Sequence, residues 1–123
     1  MIEKQQKRDD LSRSGKIRST IRMLIPLSRQ SEALEILGNV RSQIQFEPKC
    51  ISSRLYRGVN EARAIMVEEL WESYQDIQRH LQSDAYRRLL MVIEMAEEPP
   101  DIRFDTITNS SGVEVIEKAR KQG

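Results

Sequence analysis

The stretch AIMVEELWES, residues 64–73, decides the fold of this chain. An apolar and β-branched run leads into alternating charged and apolar residues, and the stretch ends at Ser73, a residue type that caps helices. A second serine, Ser83, precedes another segment with apolar residues at helical spacing. The pattern predicts a buried strand that leads into two short helices, and a small α+β domain can build a pocket at such a junction.

Length and composition indicate a single domain with a mostly aliphatic core. The chain has 123 residues, of which 38% are hydrophobic, 32% are charged and only 5% are aromatic. No apolar run approaches the roughly 20 residues that a membrane-spanning helix needs, and the N-terminus is too charged for a signal peptide. We therefore expect a cytoplasmic protein that makes no contact with a membrane.

The charge balance and the scarcity of cysteine and histidine exclude several functions. A net charge of +1 gives too little positive electrostatic potential to attract nucleic acid, so we expect no nucleic-acid partner. Cys50 is the only cysteine, which excludes an internal disulfide, and we interpret it as a small buried hydrophobe and not as a nucleophile. His80 is the only histidine, so we expect no metal site. The sequence also lacks P-loop, dinucleotide-binding and Ser-His-Asp motifs.

Before the deciding stretch, the pattern predicts an arm, two strands and a helix. Residues 1–15 are highly charged and form the predicted arm. Residues 16–27 alternate as a first strand, and a helix capped by Ser28 or Ser31 follows until Glu47-Pro48 stops it. Residues 50–59 predict a second strand, which pairs as a hairpin with a third strand over residues 62–72.

After that stretch, the pattern predicts two short helices, a strand and a tail. On the second of these helices, four residues are expected to face inward: Tyr86, Leu89, Leu90 and Ile93. Residues 101–108 alternate as a fourth strand, and residues 110–123 form a helical tail. The domain proper is therefore predicted to span residues 16–109.

The order β-α-β-β-α-β predicts an α+β fold of the ferredoxin-like class, with helices on one face of a four-stranded antiparallel sheet. Apolar residues on both sides of the strands indicate that the other face is covered as well. A second copy of the chain is the simplest cover, because two sheets related by a two-fold axis bury each other in a barrel-like core. We therefore expect a homodimer.

Several short motifs resemble the antibiotic biosynthesis monooxygenase family, the dimeric α+β barrel group that includes cofactor-free quinol monooxygenases. The resemblance spans roughly residues 17–107 and rests on these segments: EPKC at 47–50, Leu55-Tyr56, EELWES at 68–73, and HLQS at 80–83 leading to Tyr86. It implies a pocket in each subunit between the sheet and the two short helices, near Trp71 and His80. Lys49 stands where the family usually has a glycine.

Comparison with branches of that family implies a site without haem or another cofactor. In the haem-degrading branch, the position of His80 holds a tryptophan, the axial histidine falls at Leu90, and an asparagine falls at Met23; a leucine cannot ligate iron. In the polyketide-oxidising branch, an asparagine and a tyrosine fall at Val67 and Ile77. A reaction in this chain would therefore use other groups.

Seven residues are candidates for the site. His80 is the candidate base, since an ordinary imidazole accepts protons near neutral pH, although it could equally be an exposed helix residue. Trp71 could stack on an aromatic ligand or plug the core. Tyr56 and Tyr86 could orient a hydroxyl group or simply pack, and Met23 and Leu90 are expected to wall the pocket.

Glu69 completes the set, because it lies on the same strand face as Trp71. We expect an ion pair with Arg54 on the neighbouring strand, and the alternative is an acid with a raised pKa.

These residues favour a cofactor-independent monooxygenase that acts on a small aromatic or quinol-type substrate. One alternative is a non-catalytic dimeric module that binds an apolar ligand or serves as a scaffold. Another is an isomerase or decarboxylase of the same fold that needs no oxygen.

Overall fold

The structure is a computed structural model that describes residues 14–122. Its elements follow in this order: β1 (Lys16–Leu24), a 3-10 turn (Leu27–Arg29), α1 (Gln30–Ile44), β2 (Cys50–Arg57), β3 (Ala64–Trp71), α2 (Tyr74–Leu81), α3 (Asp84–Ile93), β4 (Asp101–Ile107) and α4 (Val113–Gln122). The four strands form one antiparallel sheet in the order β2-β3-β1-β4. The predicted ferredoxin-like fold is therefore confirmed. Residues 1–13 of the predicted arm lie outside the described residues.

Two serine caps separate the second helical unit into α2 and α3, as the sequence predicted. The Ser73 hydroxyl accepts a hydrogen bond from the Asp76 amide at 3.2 Å, and the Ser83 hydroxyl accepts one from the Tyr86 amide at 3.2 Å. The cap predicted for α1 is absent, because Arg29 occupies the cap position and no side chain bonds the helix end there. A 3-10 turn leads the chain into α1 instead.

A polar row divides the buried core beneath the helices into two clusters. The larger cluster lies between β1, β3, α1 and α3, with Ile21, Ile65 and Leu89 among its members. The smaller cluster lies at the other end of β3 and includes Ile17, Trp71 and Ile77. Between the clusters, Glu69 pairs across the strands with Ser19 on one side and Ser53 on the other. A carboxylate therefore lies in the middle of the covered sheet face.

The opposite face of the sheet, here called the open face, is mixed in polarity. Three rows of paired residues cross it: Ser52, Leu70, Arg18 and Asp105; Arg54, Glu68, Thr20 and Arg103; Tyr56, Met66, Arg22 and Asp101. The arginines are exposed, while Met66 and Leu70 are half-buried. This face therefore combines a few apolar side chains with charges of both signs.

Candidate functional site

The end of β3 and the start of the helical pair form the wall of a cavity of about 500 Å³. Trp71 is the last residue of β3, and the Ser73 cap turns the chain into α2 so that His80 comes back over the indole. The cavity is lined by these residues: Gln43, Ile44, Glu47, Pro48, Lys49, Trp71, Asp76, Arg79, His80, Ser83 and Ala85. Its interior combines apolar walls with a few polar groups, as small-molecule sites do.

Glu69 and His80 form a buried pair beside this cavity, and of the two residues His80 lines the cavity. The distance between His80 Nε2 and Glu69 Oε1 is 2.8 Å, and both side chains are 3% exposed. The Trp71 indole N–H donates to the same carboxylate oxygen at 3.0 Å. A buried carboxylate is costly unless it is paired and hydrogen-bonded, so these two contacts explain how Glu69 is tolerated in the core.

Two aromatic rings fix the plane of the imidazole. Trp71 stacks on His80 with ring centroids 4.4 Å apart and an interplanar angle of 28°. Tyr86 meets the imidazole edge-on at 5.3 Å. The three rings come from β3, α2 and α3, so the orientation of His80 depends on the packing of all three elements.

The two imidazole nitrogens have different surroundings. Nε2 is fully buried beside Glu69, although the N–H and the carboxylate oxygen are not aligned as a hydrogen bond. Such contacts are often poorly aligned before a substrate binds. Nδ1 is not among the fully buried unpaired atoms of the described residues, and His80 lines the cavity. A carboxylate that holds one nitrogen of a histidine while the other takes a proton is a recurrent arrangement for general-base catalysis.

Glu69 also acts on the ionisation of its neighbours. Burial, followed by the charge of Glu69, raises the pKa of Tyr86, so this hydroxyl stays protonated at neutral pH. Burial and the charge of Glu69 raise the pKa of Cys50 to about 11, so its thiol is not an activated nucleophile. Among the described residues, no group of acidic, cysteine or histidine side chains could hold a metal ion.

The structure brings four of the seven candidate residues together: His80, Trp71, Glu69 and Tyr86. The other three lie elsewhere. Tyr56 is on the open face, where its hydroxyl lies 3.4 Å from Glu68, and Met23 is packed in the larger core cluster. Leu90 was predicted to face inward but is 44% exposed on α3, because the buried stripe of that helix runs through Tyr86, Leu89 and Val92.

The expected ion pair between Glu69 and Arg54 does not form. The hairpin register places Ser53 opposite Glu69 and Arg54 opposite Glu68. Adjacent strand residues point to opposite faces, so this difference of one residue puts Arg54 on the open face. His80, eleven residues further along the chain, pairs with Glu69 instead.

Most of the cavity wall lies outside the seven residues that the sequence predicted for the site. Lys49, Asp76 and Arg79 line the cavity but were not among the candidates. Two signals were available: the EPK segment that ends α1, and the Ser73 cap, which fixes Asp76 through a 2.6 Å hydrogen bond from its hydroxyl to the carboxylate. Asp76 in turn lies 3.4 Å from a guanidinium nitrogen of Arg79.

Comparison with known structures agrees with this architecture. Rv0793 from Mycobacterium tuberculosis superposes with a TM-score of 0.71 at 16% identity, over 80% of this chain and 100% of that one. A proposed antibiotic biosynthesis monooxygenase from Caulobacter crescentus CB15 gives 0.70 at 18% identity, over 77% and 92%. A similar proposed monooxygenase from Nitrosomonas europaea gives 0.70 at 12% identity, over 83% and 100%. At these identities the likeness establishes the fold alone.

The fold and the cavity define a small ferredoxin-like α+β protein with a cavity between the end of its sheet and its helices. The sequence profile of antibiotic biosynthesis monooxygenases matches residues 17–90, and the chain belongs to that family. No curated protein sequence matches the chain significantly. None of the helices in residues 14–122 is long and apolar enough to cross a membrane.

Proposed function

We propose that the chain is a cofactor-independent monooxygenase that acts on a small aromatic or quinol-type substrate. The observation that carries this proposal is the buried Glu69 and His80 pair, whose imidazole lines a cavity together with Trp71. A hydroquinone ring that enters the cavity meets the apolar walls, and one of its hydroxyl groups reaches His80. Tyr86 keeps its proton and supports the imidazole edge.

In the proposed reaction, His80 Nδ1 takes a proton from the substrate hydroxyl. The resulting anion is electron-rich enough to pass electrons to dioxygen, so the protein itself needs no redox group. For a simple hydroquinone, one oxygen atom enters the ring and the other leaves as water, which gives a hydroxyquinone. All the electrons come from the substrate. Glu69 stabilises the imidazolium form of His80 while the substrate is an anion.

Oxygen uptake tests this proposal. Metal-free protein is assayed with a panel of hydroquinones and anthrones, and His80→Gln is compared with Gln78→Ala, which changes the same helix away from the cavity. We expect uptake by the wild type and by Gln78→Ala, and a decrease of about 10²-fold or more in His80→Gln, as for loss of a general base. Uptake by His80→Gln at the wild-type rate would remove His80 from the mechanism.

A non-catalytic ligand-binding module is the second candidate. Val67 and Ile77 favour it, because they are buried apolar residues where the polyketide-oxidising relatives carry polar ones. Trp71 is the only tryptophan, so its fluorescence reports binding directly. A hydroquinone that changes this fluorescence and causes no oxygen uptake would support the binding module. Product formed without oxygen would instead support an isomerase or decarboxylase.

We also propose that a second copy of the chain covers the open face. The face carries exposed arginines beside acidic residues, and a two-fold rotation can set arginines of one copy against acids of the other. Met66 and Leu70 lie half-buried among these charges and supply the apolar contact.

Sedimentation equilibrium tests the homodimer. We expect a dimer for the wild type and a monomer for the double variant Met66→Glu/Leu70→Glu, because four acids would then face each other across the axis. Val59→Glu, at a hairpin position that is 97% exposed, is the matched control and should remain dimeric. A wild-type monomer at micromolar concentration would refute this assembly.

A further inference from the structure

Asp76 and His80 are both buried and both line the cavity, but the proposed reaction uses only His80. The two residues are 8% and 6% exposed, whereas the other charged residues of the wall, Glu47, Lys49 and Arg79, are exposed. A buried carboxylate is costly unless other groups compensate for its lost hydration. A carboxylate that is buried on a cavity wall is therefore a candidate to contact a ligand.

The contacts at the start of α2 use one oxygen of Asp76 and leave the other weakly bound. Oδ2 accepts a hydrogen bond of 2.6 Å from the Ser73 hydroxyl, which also caps the helix. Oδ1 lies 3.4 Å from Nη1 of Arg79, whereas charge-assisted hydrogen bonds are typically about 2.7–2.9 Å long. The Arg79 side chain is 75% exposed. Each carboxylate oxygen has two acceptor sites, so Oδ1 has capacity for a further donor.

Asp76 lies four residues before His80 on the cavity side of α2. Residues with this spacing on a helix have Cβ atoms about 5–6 Å apart. The Cα–Cβ bonds of a helix tilt towards its N-terminus, so the His80 side chain starts towards the turn that carries Asp76. The two oxygen atoms of a 1,4-hydroquinone are separated by one ring and two C–O bonds, which is a similar length. A ring that lies along α2 can therefore present one hydroxyl to each residue.

A hydroxyl group is the substituent that matches the pair formed by Asp76 and Arg79. It donates one hydrogen bond and also accepts, so it can donate to Asp76 Oδ1 and accept from the Arg79 guanidinium. An ether oxygen only accepts, and its lone pairs would face the carboxylate. Hydrogen bonds to charged groups contribute more than those between neutral groups, so the pair should favour a hydroxyl over an ether.

We propose that the cavity selects 1,4-dihydroxy aromatic rings, with one hydroxyl at His80 and the opposite hydroxyl bound by Asp76 and Arg79. The role of His80 in this inference rests on the proposed function. The substrate class narrows to rings that carry hydroxyl groups on opposite carbons, an arrangement that catechols and 4-alkoxyphenols lack.

Calorimetric titration under nitrogen tests this selectivity without turnover. The probes are 1,4-hydroquinone, 4-methoxyphenol and catechol. We expect the wild type to bind hydroquinone about tenfold more tightly than 4-methoxyphenol, because only hydroquinone can donate to the Asp76 carboxylate. Catechol should bind as weakly as 4-methoxyphenol, because its second hydroxyl lies beside the first. Equal affinities for hydroquinone and 4-methoxyphenol, or no binding of hydroquinone, would overturn the proposal, and this measurement needs no variant.

Three variants assign the preference to Asp76. Asp76→Asn keeps an oxygen for the Ser73 hydroxyl but puts a donor in place of Oδ1, so the preference for hydroquinone should disappear. Asp84→Asn is the matched control, because Asp84 starts the next helix, pairs with Arg87 and is 89% exposed outside the cavity wall. Ser73→Ala removes the cap but keeps the carboxylate. Both should retain the preference, and a preference that persists in folded Asp76→Asn would overturn the role of Asp76.

Oxygen uptake separates this inference from the proposed function. Asp76→Asn should raise KM for hydroquinone about tenfold and leave kcat nearly unchanged, because it weakens binding and not the proton transfer to His80. Oxygen uptake by a wild type that binds hydroquinone and 4-methoxyphenol equally would contradict the selectivity and support the oxygenase. A tenfold preference for hydroquinone without oxygen uptake would support the selectivity and contradict the oxygenase.

Discussion

Glu68 and Glu69 are chain neighbours on β3 that lie on opposite faces of the sheet. Glu69 lies under the helices, is 2% exposed, and is held by His80 and Trp71. Glu68 lies on the open face, opposite Arg54 and within 3.4 Å of the Tyr56 hydroxyl. The difference shows how strand alternation assigns two identical side chains to different roles: one stabilises a buried imidazole, and the other belongs to a solvated charge row.

The largest expected effect is on turnover. Glu69→Gln keeps the size of the side chain and an oxygen for the Trp71 N–H, but it removes the charge that stabilises the imidazolium. We expect kcat for the hydroquinone oxidised by the wild type to fall roughly 10²-fold. Glu68→Gln should leave kcat unchanged. Equal effects of the two substitutions on oxygen uptake would mean that the buried position has no special role.

The second effect is on folding. His80→Leu leaves the buried Glu69 carboxylate without its imidazole partner, so we expect the free energy of unfolding to fall by about 3 kcal/mol. The double variant Glu69→Met/His80→Leu should recover most of this loss, because an apolar pair then replaces the buried polar one. Glu68→Met should change stability by less than about 0.5 kcal/mol. Urea unfolding measures all three, and a double variant as unstable as His80→Leu would contradict this account.

A smaller effect is expected on the reactivity of Cys50. Its pKa, raised to about 11 by burial and then by the charge of Glu69, keeps the thiol protonated at pH 9. Glu69→Gln removes the second cause, so the thiolate fraction and the alkylation rate with iodoacetamide should rise about two- to threefold. Glu68→Gln serves as the control. A rate that stays constant in Glu69→Gln would show that the carboxylate does not act on the thiol.

The smallest effect concerns an exposed carboxylate far from the site. Hydrogen bonds from Arg63 lower the pKa of Glu61 to about 2. A lowered pKa stabilises the fold above the unfolded value of roughly 4.3, and this contribution is lost as the pH falls towards 2. The urea midpoint of Glu61→Gln should therefore lie below that of the wild type at pH 6, and the gap should narrow towards pH 3. If the difference between the two urea midpoints instead widened as the pH fell, the ionised Glu61 carboxylate would not be the stabilising form.

Local patterns were sufficient to predict the elements of the fold. Alternation identified the strands, and Ser73 and Ser83 marked the starts of two short helices because their caps are local hydrogen bonds. The same alternation placed Glu69 and Trp71 on one strand face. Each of these features involves residues that are close together in the sequence, so the sequence is enough to predict them.

The partners within the site could not be predicted in the same way. Glu69 and His80 meet only because α2 folds back over β3, and that angle is set by tertiary packing. Leu89 and Leu90 were both predicted to face inward, and the rotation of α3 buries only Leu89. The hairpin register puts Tyr56, a predicted site residue, on the open face opposite Met66. A shift of one residue reverses each of these placements, so periodicity alone leaves them open.

The hairpin end of the sheet, opposite the cavity, is held by a separate set of polar contacts. Arg63 binds Glu61 and Glu97 at 2.7 and 2.8 Å, and Gln30 donates to the Ala62 carbonyl oxygen at 2.7 Å. On β1, Ile17 lies opposite Trp71 and Leu24 lies opposite Ala64, and these two positions of β1 are about 23 Å apart at the usual rise per residue.

Substitutions around Trp71 can therefore alter which molecules fit the cavity, and they leave in place the polar contacts at the hairpin end of the sheet. Descendants of such a chain can change the shape of the cavity and still inherit the contacts of Arg63 and Gln30 at the other end of the same strands.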